Sequence, residues 1–223
     1  MVTGASNRLL RIYRRLRRAR GHAGWWPGET PFEVCVGAIL TQNTAWSNVE
    51  KALARLRRRD RLSFARLRAL RPSRIAPLIR ASGTFNVKAR RLAAFLRFLE
   101  REYSGEVERM SAQPPAELRG KLLGVTGIGR ETADSIVLYA AGLPLFVVDA
   151  YTRRIFARLG LIRGDESYDE LQAFFMKRLP AERDLYNDFH AQIVLLGKDH
   201  CRSRPRCASC PIEDLCPKHG LVA

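Results

Sequence analysis

Apolar side chains recur every three or four residues along most of this chain. A stripe with that period marks a helix that buries one face and leaves the other in water. The stripes cover residues 9–16, 49–56, 92–99, 136–140, 152–159, 168–177 and 189–196. The pattern therefore predicts a protein built mainly of amphipathic helices.

Start and stop signals agree with the stripes. Residues 30–33 read Thr-Pro-Phe-Glu, a capping box with proline at the first helical position, and Gly21 follows the first stripe. Residues 145–148 form an apolar run typical of a strand, but four residues are too few to decide. We predict an all-α fold with short joints rich in Gly, Pro and Ser.

Composition adds a strong charge. The chain has 223 residues, enough for one domain or two small ones, and 39 basic against 22 acidic residues give a net charge of +17. A chain this basic attracts polyanions, so nucleic acid is the first partner to consider and an anionic membrane the second. A solvated arginine-rich surface explains the preference for Arg over Lys but not the excess of charge. No apolar stretch is long enough to span a membrane.

Four of the five cysteines crowd the end of the chain, at positions 201, 207, 210 and 216. The first 24 residues lack the apolar core of an export signal, so we expect a cytoplasmic protein in which disulfides are disfavoured. Only Cys207 and Cys210 have the CxxC spacing usual in zinc sites. Spacing alone thus favours an iron–sulfur cluster over zinc, which stays open.

A glycine pair marks a tight turn between two helical patterns. Gly127 and Gly129 flank one apolar residue, and such a turn can point its backbone N–H groups outward. Those amides, with the positive end of the next helix, can hold a phosphate oxygen. Most GxG pairs are merely turns, but in a basic helical chain a DNA-backbone contact becomes a reasonable hypothesis.

Asp149 follows an apolar run and precedes a helical pattern. An aspartate at that position is most often a helix cap. It can also activate water, or stabilise the positive charge on a sugar as its base departs. Both roles are compatible.

The hairpin residues 127–133 (Gly-Ile-Gly-Arg-Glu-Thr-Ala), then Asp149, then the terminal cysteines occur in one order. This combination resembles the endonuclease III superfamily of helix-hairpin-helix DNA glycosylases, over about residues 31–216. The resemblance implies that Cys201, Cys207, Cys210 and Cys216 hold a [4Fe-4S] cluster. The first gap, residues 202–206, is one residue shorter than is usual in that family.

The resemblance also implies an architecture. Residues 27–143 would form a six-helix barrel with the helix-hairpin-helix at 121–135. Residues 1–26 plus 144–223 would form a second helical domain with the cluster loop at 201–216. The implied partner is double-stranded DNA with a damaged base, bound between the domains by a monomer. The expected location is the bacterial cytoplasm at the nucleoid, without a membrane.

Individual positions carry over with the motifs. Asp149 matches the catalytic aspartate, and Asn43 or its neighbour Gln42 matches the wedge that fills the gap left by a flipped nucleotide. The remaining implied DNA contacts are Lys88, Gly127, Ile128, Gly129 and Arg130.

One departure bears on the reaction. Bifunctional members carry a lysine directly after the hairpin arginine, and its amine attacks the sugar to form a Schiff base. This chain has Glu131 there, and a carboxylate forms no imine. We therefore expect a monofunctional enzyme with weak or absent AP lyase activity, in which Asp149 assists attack of water at C1′.

The aromatic positions indicate a branch. Residues 25–27, 40–46, 82–89 and 147–151 are similar to the endonuclease III-like 3-methyladenine DNA glycosylases of bacteria. The implied base pocket consists of Trp25, Trp26, Pro27, Trp46 and Lys198. A cationic methylated adenine is attracted by an aromatic face. Core packing is the alternative for the tryptophans, and a phosphate contact for Lys198.

Other functions remain open. Adenine mismatch glycosylases need a glutamate that residues 36–39 lack, and glycosylase/AP lyases for oxidised pyrimidines usually retain the missing lysine. A non-catalytic damaged-DNA binder would keep the hairpin, the wedge and the charge. A redox or iron sensor is a further alternative.

Overall fold

The computed structural model describes residues 2–220, and all regular structure in that range is helical. The helices are α1 (Val2–Arg20), α2 (Pro31–Leu40), α3 (Trp46–Arg58), α4 (Phe64–Arg68), α5 (Pro72–Ile75), α6 (Phe85–Tyr103), α7 (Pro115–Leu123), α8 (Arg130–Ser135), α9 (Ala150–Arg158), α10 (Tyr168–Met176) and α11 (Arg183–Asp199). Short 3₁₀ turns cover Arg80–Ser82, Val107–Ala112 and Glu213–Leu215, and α8 continues into a π-helical turn, Ile136–Ala140. The predicted all-α class is confirmed. The apolar run at 145–148 is extended but joins no strand within the described range.

The chain forms two compact units. One contains residues Pro27–Leu143, and the other joins the segment up to Trp26 with the segment from Pro144 onward. The N-terminal helix therefore packs with the C-terminal third of the chain.

Helix α2 is the buried centre of the unit formed by residues 27–143. Its residues from Glu33 to Leu40 are buried, and it packs against α3, α6, α8 and the π-helical turn. A helix that is apolar on all sides must be surrounded by other elements. The lone Cys35 lies here, fully buried and apart from the other four cysteines.

The N-terminus of α2 has only one half of the predicted capping box. Thr30 is the N-cap, and its side chain accepts from the Glu33 amide at 3.2 Å. The buried Glu33 side chain does not complete the box, because it pairs with Arg57 of α3. An unpaired buried carboxylate is costly, so the arginine from another helix takes precedence over the local cap.

Helices α1, α9 and α11 organise the other unit. The predicted stripe on α1 is buried, and α1 packs on α11. Phenylalanines from several elements fill the core, with Phe146 stacked on Phe175 at 4.4 Å between ring centroids. Burial of these rings removes large apolar surfaces from water and so stabilises this unit.

A buried carboxylate ties the end of α1 to α11. Asp188 accepts from the Tyr13 hydroxyl at 2.9 Å and from the Ala23 amide at 2.8 Å. One turn later, Gln192 Nε2 donates to Gly21 O at 2.8 Å. These bonds hold the segment that leads to Trp25.

Helices α9 and α11 approach closely at Gly197. A Cβ at this position would overlap the Tyr151 side chain. The glycine therefore permits the contact between the two helices. Because Asp149 directly precedes α9, this contact also determines where Asp149 lies.

No helix within residues 2–220 is long and apolar enough to cross a membrane.

Candidate active site

Asp149 caps helix α9. Its Oδ1 accepts from the Thr152 amide at 2.7 Å and from the Thr152 hydroxyl at 2.8 Å. Its Oδ2 lies 3.7 Å from Nε2 of His190 on α11, and the Asp149 side chain is 11% exposed. One carboxylate oxygen thus serves the helix, while the other faces an imidazole.

The surroundings of Asp149 favour its ionised form. Burial raises the pKa of this carboxyl, but the interaction with His190 and the bonds from Thr152 outweigh burial, and the net pKa lies below its ordinary value. Hydrogen bonds and a nearby positive charge both stabilise a carboxylate. At neutral pH Asp149 is an anion inside a largely buried site.

The predicted hairpin joins α7 to α8. Gly127 has φ of +86°, a region that favours glycine, and a Cβ there would also overlap the Arg91 side chain. Gly129 differs, because its φ is −91° and open space surrounds its Cβ position. Glycine at 127 is explained by the fold, whereas glycine at 129 leaves room for a ligand.

The backbone N–H of Ile128 does not point outward, although the sequence predicts this for the amides of this turn. Its backbone N–H donates to Val125 O at 3.0 Å, and its side chain is buried. The amides of this hairpin therefore do not all point outward.

The turn after α2 separates the roles of two neighbours. Gln42 is half-buried, and its side chain bonds Gly127 O, Thr132 Oγ1 and Arg91. Asn43 is exposed and adopts a left-handed backbone with φ of +51°. Asn43 is free to reach outward, whereas Gln42 is held by the hairpin.

Lys88 lies inside the unit rather than on a DNA-facing surface. It is 1% exposed, and its Nζ donates to Leu40 O at 2.8 Å and to Ser82 O at 2.5 Å. Burial, and then the charge of Arg91, lowers its pKa to about 8. This position does not agree with the direct DNA contact expected from the sequence.

Two aromatic positions of the implied pocket lie together. Trp25 and Trp26 are half-buried and meet edge to face, with 5.9 Å between ring centroids. Nζ of Lys198 lies 5.4 Å from the Trp25 ring centroid. The structure thus brings Lys198 to an aromatic face, a cation–π arrangement. Neither tryptophan is a fully buried core residue.

The other two candidates for the base pocket lie in the unit formed by residues 27–143. Trp46 begins α3, is half-buried, and donates its ring N–H to Glu50 at 3.0 Å. Pro27 is exposed.

The four C-terminal cysteines line one cavity. Leu159, Leu196 and Ile212 contribute apolar walls to it. Burial, and after it the neighbouring cysteine sulfurs, raises the pKa of Cys210 and Cys216. A raised pKa favours the neutral thiol over the thiolate at these two positions.

Among the described residues, no three metal-ligating side chains are close enough to hold one metal ion.

Arginine contacts close the cysteine loop. Arg158 donates to Cys201 Sγ at 3.3 Å and to Arg202 O at 2.6 Å. Within the short first gap, the Arg206 amide donates to His200 O at 2.8 Å. The gap is closed by an ordinary backbone hydrogen bond despite its length.

Residues 36–181 match the family model described as HhH-GPD superfamily base excision DNA repair protein. This chain belongs to that superfamily. A Methanocaldococcus jannaschii protein with the provisional name of DNA repair glycosylase is similar to this chain. It is 43% identical over 210 residues, which cover 93% of this chain and 95% of the relative.

Two solved structures of the superfamily extend the comparison. An H. pylori 3-methyladenine DNA glycosylase bound to 1,N6-ethenoadenine is 30% identical, with a TM-score of 0.75, and covers 85% of this chain and 97% of its own. A non-covalent endonuclease III–DNA complex is 26% identical, with a TM-score of 0.80, and covers 96% and 95%. The expected endonuclease III superfamily is confirmed, and this HhH-GPD protein is a DNA glycosylase of base excision repair.

Two residues of this glycosylase were missed by sequence reasoning. His190 lies in the apolar stripe of α11 and is typical of a core residue there, so only its distance to Asp149 distinguishes it. Arg91 lies three residues after Lys88 on α6, and nothing in the sequence distinguishes it from a surface arginine. Only its bond to Gln42 indicates a role near the hairpin. Glu131 lies in the first turn of α8, where the positive end of the helix dipole stabilises an acidic side chain.

Proposed function

We propose that this glycosylase is monofunctional and releases alkylated purines, such as 3-methyladenine, from double-stranded DNA by hydrolysis. The observation that carries the proposal is a buried, ionised Asp149 in a chain whose hairpin has Glu131 in place of a nucleophilic lysine. Without that amine, the attacking group is water.

Asp149 is suited to guide that water. Because Oδ1 is occupied by Thr152, Oδ2 is the oxygen that acts on the substrate. Water oxygen bonds to C1′, the electron pair of the glycosidic bond leaves with the base, and a water proton passes to Asp149. The carboxylate also stabilises the positive charge that develops on the sugar.

The positive charge of the leaving base explains why the proposed site needs no general acid. An adenine methylated at N3 carries a positive charge, so it departs as a neutral base without a general acid. The Trp25 ring, whose face Lys198 approaches, supplies a surface on which the flipped base can stack. Similarity to a 3-methyladenine glycosylase supports the same substrate class. Trp26, Pro27 and Trp46 remain proposed pocket residues on the basis of the sequence resemblance.

For DNA contacts we propose the hairpin and the turn after α2. Open space at Gly129 and the first amides of α8, beginning with Arg130, suit a backbone phosphate. The exposed Asn43 is the proposed wedge, since Gln42 is already bonded to the hairpin. Lys88 is omitted from this set because it is buried.

We also propose that Cys201, Cys207, Cys210 and Cys216 hold a [4Fe-4S] cluster. The cavity that all four cysteines line supports this assignment. When bound, the cluster would cross-link a loop that has little regular structure. Iron and acid-labile sulfide content should fall in Cys210→Ser and stay normal in Cys35→Ser, the buried control. Equal metal content in both variants would contradict the assignment.

Base release and strand cleavage, measured separately under single-turnover conditions, test the proposed reaction. The panel contains duplexes with 3-methyladenine, 1,N6-ethenoadenine, hypoxanthine, thymine glycol or an abasic site. We expect release of alkylated purines without cleavage. Release of thymine glycol with cleavage would instead support a bifunctional enzyme, as the similarity to endonuclease III suggests. Tight binding with no release from any duplex would support a non-catalytic binder.

A further inference from the structure

Helix α1 carries three exposed arginines on one face. Arg11, Arg14 and Arg18 are spaced by three and four residues, which places them within about 60° of one another around the helix axis. We call these three residues the α1 stripe. The opposite side of the helix is buried and consists of Leu9, Ile12, Tyr13 and Leu16. The α1 stripe therefore points away from the core of its unit.

Acidic side chains do not neutralise the α1 stripe. Residues 2–28 contain seven arginines and neither Asp nor Glu. Other arginines of α1 have acidic partners from distant parts of the chain. Arg15 pairs with Asp214 at 2.8 Å, and Arg20 pairs with Asp199 at 3.3 Å. Within residues 2–220, no carboxylate forms an ion pair with the α1 stripe, so its positive charge is available to a partner.

The length of the α1 stripe fits the backbone of duplex DNA. Arg11 and Arg18 are seven residues apart, which is about 10 Å along a helix. Each DNA strand carries one phosphate per about 3.4 Å of duplex axis, so about three phosphates occupy that length. Guanidinium groups bind phosphate oxygens through paired N–H donors. Three such contacts hold a backbone without reading its bases.

An anionic membrane is the other extended polyanion that a basic helix can meet. Amphipathic helices bind membranes by burying their apolar face at the boundary between headgroups and acyl chains. The apolar face of α1 is already buried within the protein, where the helix packs on α11. The α1 stripe thus offers charge without an apolar surface to insert, which favours DNA.

The α1 stripe also faces away from Asp149. On α11, Asp188 accepts from the Tyr13 hydroxyl of α1 at 2.9 Å. His190 lies two residues later, about 200° around the same helix, and its Nε2 is 3.7 Å from Asp149 Oδ2. Helix α11 therefore separates α1 from Asp149. A duplex whose base reaches Asp149 would have to curve around both helices to touch the stripe, and duplex DNA is stiff over such a length.

We propose that the α1 stripe binds the phosphate backbone of a second DNA duplex while a damaged duplex occupies the site at Asp149. The inference rests on the proposed function only for the position of the damaged duplex. One molecule then holds two DNA segments at once. It can pass from one segment to the other without first being released into solution.

A three-component binding experiment with the full chain tests the proposal. Duplex A contains a tetrahydrofuran abasic analogue and a fluorescent donor, and duplex B is undamaged and carries the acceptor. With duplex A saturating, wild type should bring B close enough for energy transfer. Three phosphate contacts correspond to a salt slope of about 2.7, so the affinity for B should fall roughly 40-fold between 50 and 200 mM salt.

Replacement of the α1 stripe should abolish only the second binding event. The variant Arg11→Gln/Arg14→Gln/Arg18→Gln should bind duplex A nearly as wild type does and should give no energy transfer to B. Glutamine is a good helix former and these positions are exposed, so α1 should persist. Circular dichroism and thermal unfolding check the fold.

A matched variant controls for net charge. Three other exposed arginines each have a neighbouring carboxylate: Arg109 with Glu106, Arg163 with Asp165 and Arg183 with Asp184. The variant Arg109→Gln/Arg163→Gln/Arg183→Gln loses the same formal charge as the stripe variant. It should still capture duplex B.

The stoichiometry and a membrane probe complete the experiment. Sedimentation of the mixture should show one chain with two duplexes, whereas two chains that each hold one duplex would overturn the proposal. Undiminished capture of B by the stripe variant, an equal loss in the matched variant, or an equal loss of affinity for duplex A would also overturn it. Stripe-dependent binding to phosphatidylserine vesicles without capture of B would assign the stripe to a membrane instead. Base release is not part of the readout. If wild type captures both duplexes but releases no base, the proposed reaction fails while the role of the α1 stripe stands.

Discussion

Asp149 and His190 come from two helices and meet with 3.7 Å between Oδ2 and Nε2. The contact depends on the close approach of α9 and α11, which Gly197 permits. It holds the carboxylate in its charged form despite burial. The lower limit of the pH range in which Asp149 is ionised should therefore depend on His190.

Replacement of His190 tests that relationship. In His190→Asn the interaction of the imidazole with Asp149 is lost, so the pKa of Asp149 should rise. Since activity needs the carboxylate, the acidic limb of the single-turnover pH–rate profile should move to higher pH. An unmoved limb with slower turnover would indicate a purely structural histidine.

The Asp149–His190 pair also predicts how the free energy of unfolding changes with pH. A carboxyl whose pKa is lowered by folding stabilises the folded state above its unfolded pKa, and this contribution is lost as pH falls through the folded pKa. Wild type should therefore lose more stability on acidification than His190→Asn. Chemical denaturation between neutral pH and the acidic range measures the difference.

Substitution of Asp149 separates catalysis from capping. Asn is an equally good N-cap, so Asp149→Asn should keep the fold and duplex binding. It should lower base release by roughly 10²- to 10⁴-fold, the range of general acid–base catalysis. Asp149→Ala should lose in addition about 1 kcal/mol of unfolding free energy with the cap. Normal turnover in the Asn variant would remove Asp149 from the reaction.

Borohydride trapping tests the absence of a nucleophilic amine. Wild type should form no covalent adduct with DNA, since Glu131 forms no imine. Glu131→Lys restores the amine at that position, and we expect it to trap DNA. Efficient trapping by wild type that disappears in Lys198→Ala would identify a substitute nucleophile beside Trp25.

Lys198 should also influence which bases leave fastest. Its ammonium occupies the Trp25 face and repels a second cation there. In Lys198→Met, release of cationic 3-methyladenine should increase relative to neutral 1,N6-ethenoadenine. The measured quantity is the ratio of the two single-turnover rates. A constant ratio would place Lys198 outside the base pocket.

The buried Lys88 should make stability rise at alkaline pH. Its pKa is about 8 in the folded protein against an ordinary value of 10.5. The cost of burying its charge is present below the folded pKa and disappears as pH rises toward 10.5. The gain is on the order of 3 kcal/mol, since one pKa unit is worth about 1.4 kcal/mol. Lys88→Met should lack this component when its denaturation curves are compared with wild type.

Local spacing in the sequence was enough for several conclusions. The helical stripes predict the elements, and Asp149 is recognised as a candidate cap because it directly precedes a helical pattern; its partner Thr152 is only three residues away. The glycine at 127, the glutamate at 131 and the terminal cysteines are visible as motifs. These features involve neighbours along the chain, so their physical requirements are written in a few consecutive residues.

The tertiary structure decided what depends on distant partners. Gln42 and Asn43 are equivalent wedge candidates in the sequence, but Gln42 bonds Gly127, which is 85 positions away, and only Asn43 remains exposed. Lysine is seldom buried, so nothing local indicates that Lys88 lies inside the fold. His190 appears as one more buried helix residue until α11 packs on α9. Contacts of this kind arise from the packing of whole elements, which no short window of sequence contains.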